Sequence, residues 1–233
     1  MPVPKLPLRL LGLSDAYHLW WWKRTIARRT VLTPWNEKHQ AIFVHIPKTA
    51  GTSILAGLGA PPVFDTHAPS RAYARAYPEF YARSYKFAFV RNPWDRFASS
   101  FHFMKHGTDW KMQQDWARRH IGDMDFREFT LRLRNPLFRA AVLSERFFWP
   151  QTTWLGGVGD AGGVDQLFRF EAIEPAMRQL CARFGIDRPT TTPHLRKVVK
   201  ADFHAIYDDM MIDIVARLYR HDIAALDYSF TSD

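Results

Sequence analysis

The sequence predicts an α/β protein in which a parallel sheet is flanked by helices, and three apolar runs carry this prediction. They occupy residues 41–46, 86–90 and 164–170 and contain many β-branched or aromatic side chains. Each run is followed by turn residues and then by apolar side chains at helical spacing. Because repeated strand–helix units bury parallel strands between helices, we expect a central parallel sheet.

Two further stretches are important for the predicted packing. Residues 71–83 have the pattern of a helix that follows the first strand–helix unit. Residues 205–226 carry apolar side chains at helical spacing, and we expect one C-terminal helix that packs on the sheet. Its Met and aromatic side chains are predicted to lie in the core.

Length and composition favour one folded domain. The chain has 233 residues, of which 47% are hydrophobic, enough for one sizeable core. We expect residues 1–40 to form an N-terminal extension on or near the domain and residues 41–233 to form a single domain. Cys181 is the only cysteine, so an intrachain disulfide is excluded and a reducing, cytoplasmic compartment is favoured.

The chain is basic, and its N-terminal part contains a tryptophan cluster. The formal charge of +9 favours an anionic partner, such as a nucleotide, an anionic glycan, nucleic acid or an acidic membrane surface. Residues 6–13 are too short to span a bilayer, so a soluble protein is expected. The segment from Trp20 to Arg29 could contact a membrane peripherally; the alternative is a helix whose tryptophans pack on the domain.

The turn after the first strand has the composition of an anion-binding loop. A strand, a tight turn and a helix N-terminus direct several backbone N–H groups at one point, where an anion is favoured. Lys48 adds a positive charge, and Gly51 allows a ligand close to the backbone. Thr52 or Ser53 is expected to cap the helix. The alternative is an ordinary turn with a solvated lysine. The residues predicted to contact the anion are Lys48, Thr49, Ala50, Gly51, Thr52 and Ser53.

A second candidate anion site follows the second strand. Arg91 stands at the carboxyl end of that strand, with Asn92 and Pro93 suited to begin a helix. Ser99 lies about two turns along this helix. A guanidinium can bind two phosphate oxygens at once. The alternative for Arg91 is a salt bridge with Asp95, while Arg96 is predicted to be structural.

Both motifs resemble those of one enzyme family. Residues 45–53, HIPKTAGTS, resemble the 5'-phosphosulfate loop of sulfotransferases, in particular the branch that contains carbohydrate 2-O-sulfotransferases and many bacterial relatives. Residues 89–101, FVRNPWDRFASSF, resemble the 3'-phosphate motif, in which an Arg and a Ser stand eight residues apart. The resemblance implies a P-loop-NTPase-like three-layer sandwich. It also implies the donor 3'-phosphoadenosine 5'-phosphosulfate (PAPS), the product adenosine 3',5'-bisphosphate, and no metal.

The resemblance assigns roles to individual residues. Lys48 and its loop would bind the phosphosulfate, and Arg91 and Ser99 the 3'-phosphate. His67 would be the general base, since a neutral imidazole can accept a proton near neutral pH; His45 is its rival but is expected to pack. Arg196 and Lys197 would close over the nucleotide, the alternative being solvated charge. The acceptor implied is a hydroxyl, with a carbohydrate or glycoconjugate expected.

Other patterns are weaker. Residues 148–151, FWPQ, resemble a segment of bacterial family members, interpreted as a cofactor or acceptor wall with core packing as the alternative. His102 and His106 have the spacing of a zinc pair but lack a third ligand, and the GxGxxG at 157–162 precedes a predicted strand instead of a helix. A P-loop kinase and a non-catalytic anion-binding protein remain alternatives. A kinase would need the Walker A sequence, which does not occur here, and nucleic acid is not an expected partner.

Overall fold

The computed structural model describes residues 32–61, 67–156, 163–187 and 202–232. They fall into two compact units. The sheet unit comprises the described residues up to Arg91 and those from Gln151 to 187, and the helical unit comprises residues 92–150 and 202–232. The predicted roles of residues 20–29, of 157–162 and of Arg196 and Lys197 lie outside the described residues. The predicted division at residue 40 stays a prediction.

Short helices alternate with three strands along the chain. Among the described residues no helix is long and apolar enough to cross a membrane. In chain order the elements are α1 (Pro34–His39), β1 (Ala41–Val44), α2 (Gly51–Gly57), α3 (Ser70–Ala76), α4 (Pro78–Arg83), β2 (Tyr85–Val90), α5 (Pro93–His106), α6 (Lys111–His120), α7 (Phe126–Arg132), α8 (Pro136–Val142), a 3-10 turn (Arg146–Phe148), α9 (Thr152–Leu155), β3 (Gln166–Arg169), a 3-10 turn (Phe170–Ala172), α10 (Ile173–Phe184), a 3-10 turn (Phe203–Ile206), α11 (Asp209–Leu218) and α12 (Arg220–Leu226).

The sheet is parallel, with strand order β1–β2–β3. Phe43 of β1 pairs with Phe87 of β2, and Val90 of β2 pairs with Arg169 of β3. Every residue of β1 is buried, as expected for a strand covered on both faces. This confirms the predicted fold class, an α/β structure with a parallel sheet flanked by helices, consistent with a P-loop-like fold.

Aromatic and aliphatic side chains form the core of the sheet unit. The rings of Phe43 and Phe87 stack with centroids 5.1 Å apart. Leu180 and Cys181 of α10 are buried against this core. Trp35 of α1 also belongs to the core, and its indole N–H donates to the Leu58 carbonyl over 2.9 Å.

The helical unit has a separate core around α5, which packs against α6 and α11. Arg96 of α5 is fully buried, and its guanidinium donates to the carbonyls of Phe147 (3.2 Å) and Trp149 and lies over the Tyr219 ring. The predicted structural role of Arg96 is therefore confirmed. Asn92 caps α5 as predicted, accepting from the Trp94 N–H over 3.1 Å.

Two helix predictions were wrong. The stretch 71–83 breaks at Tyr77, because the residue before a proline avoids the helical region and Pro78 begins a new helix. The stretch 205–226 forms a 3-10 turn, α11 and α12, since the Asp208 carboxylate caps a fresh helix by accepting from the Met211 N–H. Within the helical unit, α11 packs against α5 and α7. Met210, expected in the core, is 40% exposed.

Candidate active site

The loop after β1 has an unusual backbone. Lys48 and Ala50 both take the left-handed conformation, with φ of 70° and 63°. Thr49, which lies between them, is fully buried, and its hydroxyl donates to the Ile46 carbonyl over 2.9 Å. Because that proton is already used inside the loop, Thr49 has its backbone N–H, not its hydroxyl proton, to offer an anion.

The helix after this loop begins earlier than the predicted cap. Ala50 is the N-cap of α2 and Gly51 its first residue, so the prediction that Thr52 or Ser53 caps the helix was wrong. Thr52 is exposed and Ser53 half-buried in the first turn. A Cβ at position 51 would overlap the His45 imidazole. A side chain at position 51 would therefore displace the buried His45 ring.

Lys48 and Arg91 come together at the carboxyl edge of the sheet. An Arg91 guanidinium N–H donates to the Lys48 carbonyl over 3.2 Å. The Lys48 side chain is half-buried, and this burial, followed by the positive charge of Arg91, lowers the pKa of its ammonium from 10.5 to about 8. Because the Arg91 charge disfavours the charged form of Lys48, an anion bound near both would stabilise both cations.

Arg91 is held by two residues whose roles sequence analysis missed. Its backbone N–H donates to the Gln151 Oε1 over 2.9 Å, and the Gln151 side-chain amide donates back to the Arg91 carbonyl over 2.8 Å. Gln151 is fully buried. The guanidinium carbon lies 4.2 Å from the centre of the Phe170 ring, a cation–π contact. Gln151 fixes the backbone and Phe170 supports the side chain.

Sequence signals existed for both residues but did not identify the contact. Gln151 ends the FWPQ segment, which was interpreted as a cofactor or acceptor wall, and Phe170 follows β3 directly. A polar residue in an otherwise apolar segment indicates a buried hydrogen bond. Its partner, sixty positions earlier in the chain, is visible only in the fold.

His67 is oriented by His45. Its Nδ1 lies 3.0 Å from the His45 carbonyl oxygen, and the two rings are 4.1 Å apart. Since a carbonyl only accepts, Nδ1 must carry the hydrogen, and in the neutral ring Nε2 then keeps its lone pair. His67 is half-buried and lies beside Trp154. His45 is buried and stacks on Phe43, which confirms that it packs within the sheet unit.

Ser99 lies on α5 in the helical unit, where it is half-buried. Its part in phosphate binding stays a prediction. Across the described residues no group of three or more His, Cys, Asp or Glu could hold a metal ion.

Fold and site together describe an α/β protein in which Lys48 and Arg91 lie at the carboxyl edge of the sheet and His67 Nδ1 donates to a backbone carbonyl. The chain belongs to the sulfotransferase family, since residues 34–229 match the model described as "Sulfotransferase family". No curated protein and no solved structure matches the chain. The family expected from the two motifs is thus confirmed, and with it sulfonate transfer as the general chemistry. The carbohydrate 2-O branch and a bacterial source stay predictions.

Proposed function

We propose that this chain transfers a sulfonate group from PAPS to a hydroxyl of a carbohydrate or glycoconjugate and releases adenosine 3',5'-bisphosphate. The observation that carries the proposal is the hydrogen-bonded pair of Lys48 and Arg91, one from the loop after β1 and one from the end of β2. The donor bears two anionic groups, a 5'-phosphosulfate and a 3'-phosphate. A site with two adjacent cations suits a ligand of this charge.

In the proposed complex the loop residues bind the phosphosulfate. Lys48 provides the charge, and the backbone N–H groups from Thr49 to Ser53 provide further donors. Arg91 binds the 3'-phosphate, and its fixed backbone and Phe170 platform support this role, because a pre-oriented guanidinium loses less freedom on binding. Ser99, and Arg196 with Lys197, complete the nucleotide contacts in this proposal.

The chemical step needs a base and a stabilised leaving oxygen. We assign His67 Nε2 to take the proton from the acceptor hydroxyl while that oxygen forms a bond to sulfur. The bond between sulfur and the 5'-phosphate oxygen breaks. Lys48 and the loop N–H groups stabilise the negative charge that develops on that oxygen. Losing one such donor costs comparable enzymes about 3 kcal/mol of transition-state stabilisation.

The proposed acceptor and cellular location rest on the sequence. The carbohydrate branch is supported by the HIPKTAGTS segment, and a cytoplasmic location by the single cysteine, Cys181. Peripheral membrane contact through residues 20–29 belongs to the same set of proposals.

Thermal unfolding of the full chain tests the donor site. We expect adenosine 3',5'-bisphosphate at a hundredfold its dissociation constant to stabilise the protein by about 2.7 kcal/mol. Arg91→Ala should lose this shift, whereas Arg83→Ala, an exposed arginine of the same unit, should keep it. In a sulfonate-transfer assay, Lys48→Ala should abolish turnover without unfolding the protein.

Three results would contradict the proposal. A shift with ATP and magnesium alone would favour a kinase, and no shift with either nucleotide would favour a non-catalytic anion-binding protein. Full transfer activity of Lys48→Ala would refute the assignment of the loop.

A further inference from the structure

A cleft of about 500 Å³ lies within the helical unit, away from any residue used above. One wall comes from the corner between α7 and α8 and the other from the corner between α11 and α12. The floor is aliphatic: Leu133 is 1% exposed, and the others are half-buried. The floor residues are Leu133, Leu143, Ile214 and Leu218.

The rim of the same cleft is strongly basic. Two exposed arginines come from each wall, and no described residue that lines the cleft is acidic. Asp213, one turn from Arg217, pairs with it at the edge. The rim arginines are Arg134, Arg139, Arg217 and Arg220.

An exposed leucine stands beside this rim. Leu137, in the first turn of α8, is 64% exposed and lies between Arg134 and Arg139 in sequence. A single exposed leucine is ordinary, so the informative feature is its position beside a basic rim. A protruding apolar side chain surrounded by basic ones is typical of proteins that bind the interface of an anionic bilayer.

We propose that this cleft binds the headgroup phosphate of an anionic phospholipid at a bilayer surface, with Leu137 entering the interface. The planar guanidinium groups match phosphate oxygens, and the aliphatic floor matches the glycerol and first acyl carbons below them. A free inorganic phosphate would leave the floor uncovered. A sugar would need amide, hydroxyl or carboxylate side chains, which the described lining lacks. This inference does not depend on the proposed function.

Vesicle cosedimentation of the full chain tests the site. We expect binding to phosphatidylcholine vesicles that contain phosphatidylglycerol and none to phosphatidylcholine alone. Each arginine near such a surface contributes about 1 kcal/mol, or about fivefold, so Arg139→Gln with Arg220→Gln should weaken binding about 25-fold. Leu137→Ser should also weaken it.

A matched control removes the same charge elsewhere in the unit. Arg118 and Arg119 are exposed on α6, and Arg118→Gln with Arg119→Gln should leave binding close to wild type. Residues 20–29 are present in every variant, so a contribution from them cancels in the comparison.

Several outcomes would overturn the proposal. These are equal loss in the two double variants, unchanged binding in the cleft variant, or saturation by a soluble short-chain phosphatidylglycerol without vesicle binding. Should the arginine variant unfold, Leu137→Ser decides alone, because its exposed side chain leaves the fold intact.

Discussion

The lowered pKa of Lys48 makes donor affinity depend on pH. Burial and the neighbouring Arg91 bring the ammonium pKa to about 8, so Lys48 loses its charge within an accessible range. A neutral amine does not attract an anion. The affinity for adenosine 3',5'-bisphosphate should therefore be highest below about pH 8 and should fall as the pH rises above it.

The magnitude follows from the two protonation states. If bound phosphate keeps Lys48 charged throughout this range, the dissociation constant should rise about tenfold from pH 7 to pH 9, about 1.4 kcal/mol. The second ionisation of a phosphate monoester lies near pH 6 and is nearly complete at pH 7, so it contributes little.

Stability without ligand should change in the opposite direction. The folded pKa of Lys48 is below its unfolded value, so between about pH 8 and 10.5 the unfolded chain binds more protons. The contribution of Lys48 to the free energy of unfolding therefore rises with pH in this window, while affinity falls.

Titration calorimetry between pH 7 and pH 9 measures the effect. Wild type should weaken about tenfold, whereas Lys48→Arg, whose guanidinium stays charged, should bind with nearly constant affinity. Lys48→Ala should bind weakly at every pH. A flat wild-type profile, or the same slope in Lys48→Arg, would refute the reasoning.

Three further predictions concern neighbouring residues. Gly51→Ala should lower the free energy of unfolding by about 1–3 kcal/mol, because the new Cβ overlaps the His45 ring. Thr52→Ala, at the exposed next position, should leave that free energy unchanged. Equal stabilities of the two variants in urea would contradict the overlap. Gln151→Ala should lower the same free energy by about 2–3 kcal/mol and weaken bisphosphate binding, because both hydrogen bonds to the Arg91 backbone are lost. An unchanged urea midpoint would show that the two hydrogen bonds are not needed. His67→Ala should slow transfer about 100- to 10,000-fold at unchanged bisphosphate affinity, and a loss of affinity instead would assign His67 to binding.

Local pattern was sufficient for much of the fold. The three strands were predicted within a few residues, because each is a β-branched or aromatic run bounded by turn residues. Lys48 and Arg91 were predicted to follow the first and second strands, and both lie there at the carboxyl edge of the sheet, while their binding roles stay predictions. The prediction of a single helix over residues 205–226 was wrong because periodicity alone does not show that Asp208 caps a new helix.

Contacts between distant residues could not be predicted in the same way. Lys48 and Ala50 adopt left-handed backbone that their residue types disfavour, so only the folded loop reveals it. The overlap that excludes a side chain at Gly51 comes from a ring on the preceding segment, His45. The orientation of His67 likewise depends on a backbone carbonyl, which carries no sequence signal.

The reciprocal hydrogen bonds between Arg91 and Gln151 also affect where the chain can tolerate insertions. The chain leaves the sheet unit after Arg91 and re-enters it at Gln151, and these two residues are clasped to each other. The two hydrogen bonds between Arg91 and Gln151 therefore join the two ends of the segment 92–150, and an insertion inside that segment would leave these bonds in place. Homologous enzymes could therefore carry longer loops between the helices of residues 92–150 while the backbone of Arg91 keeps its geometry.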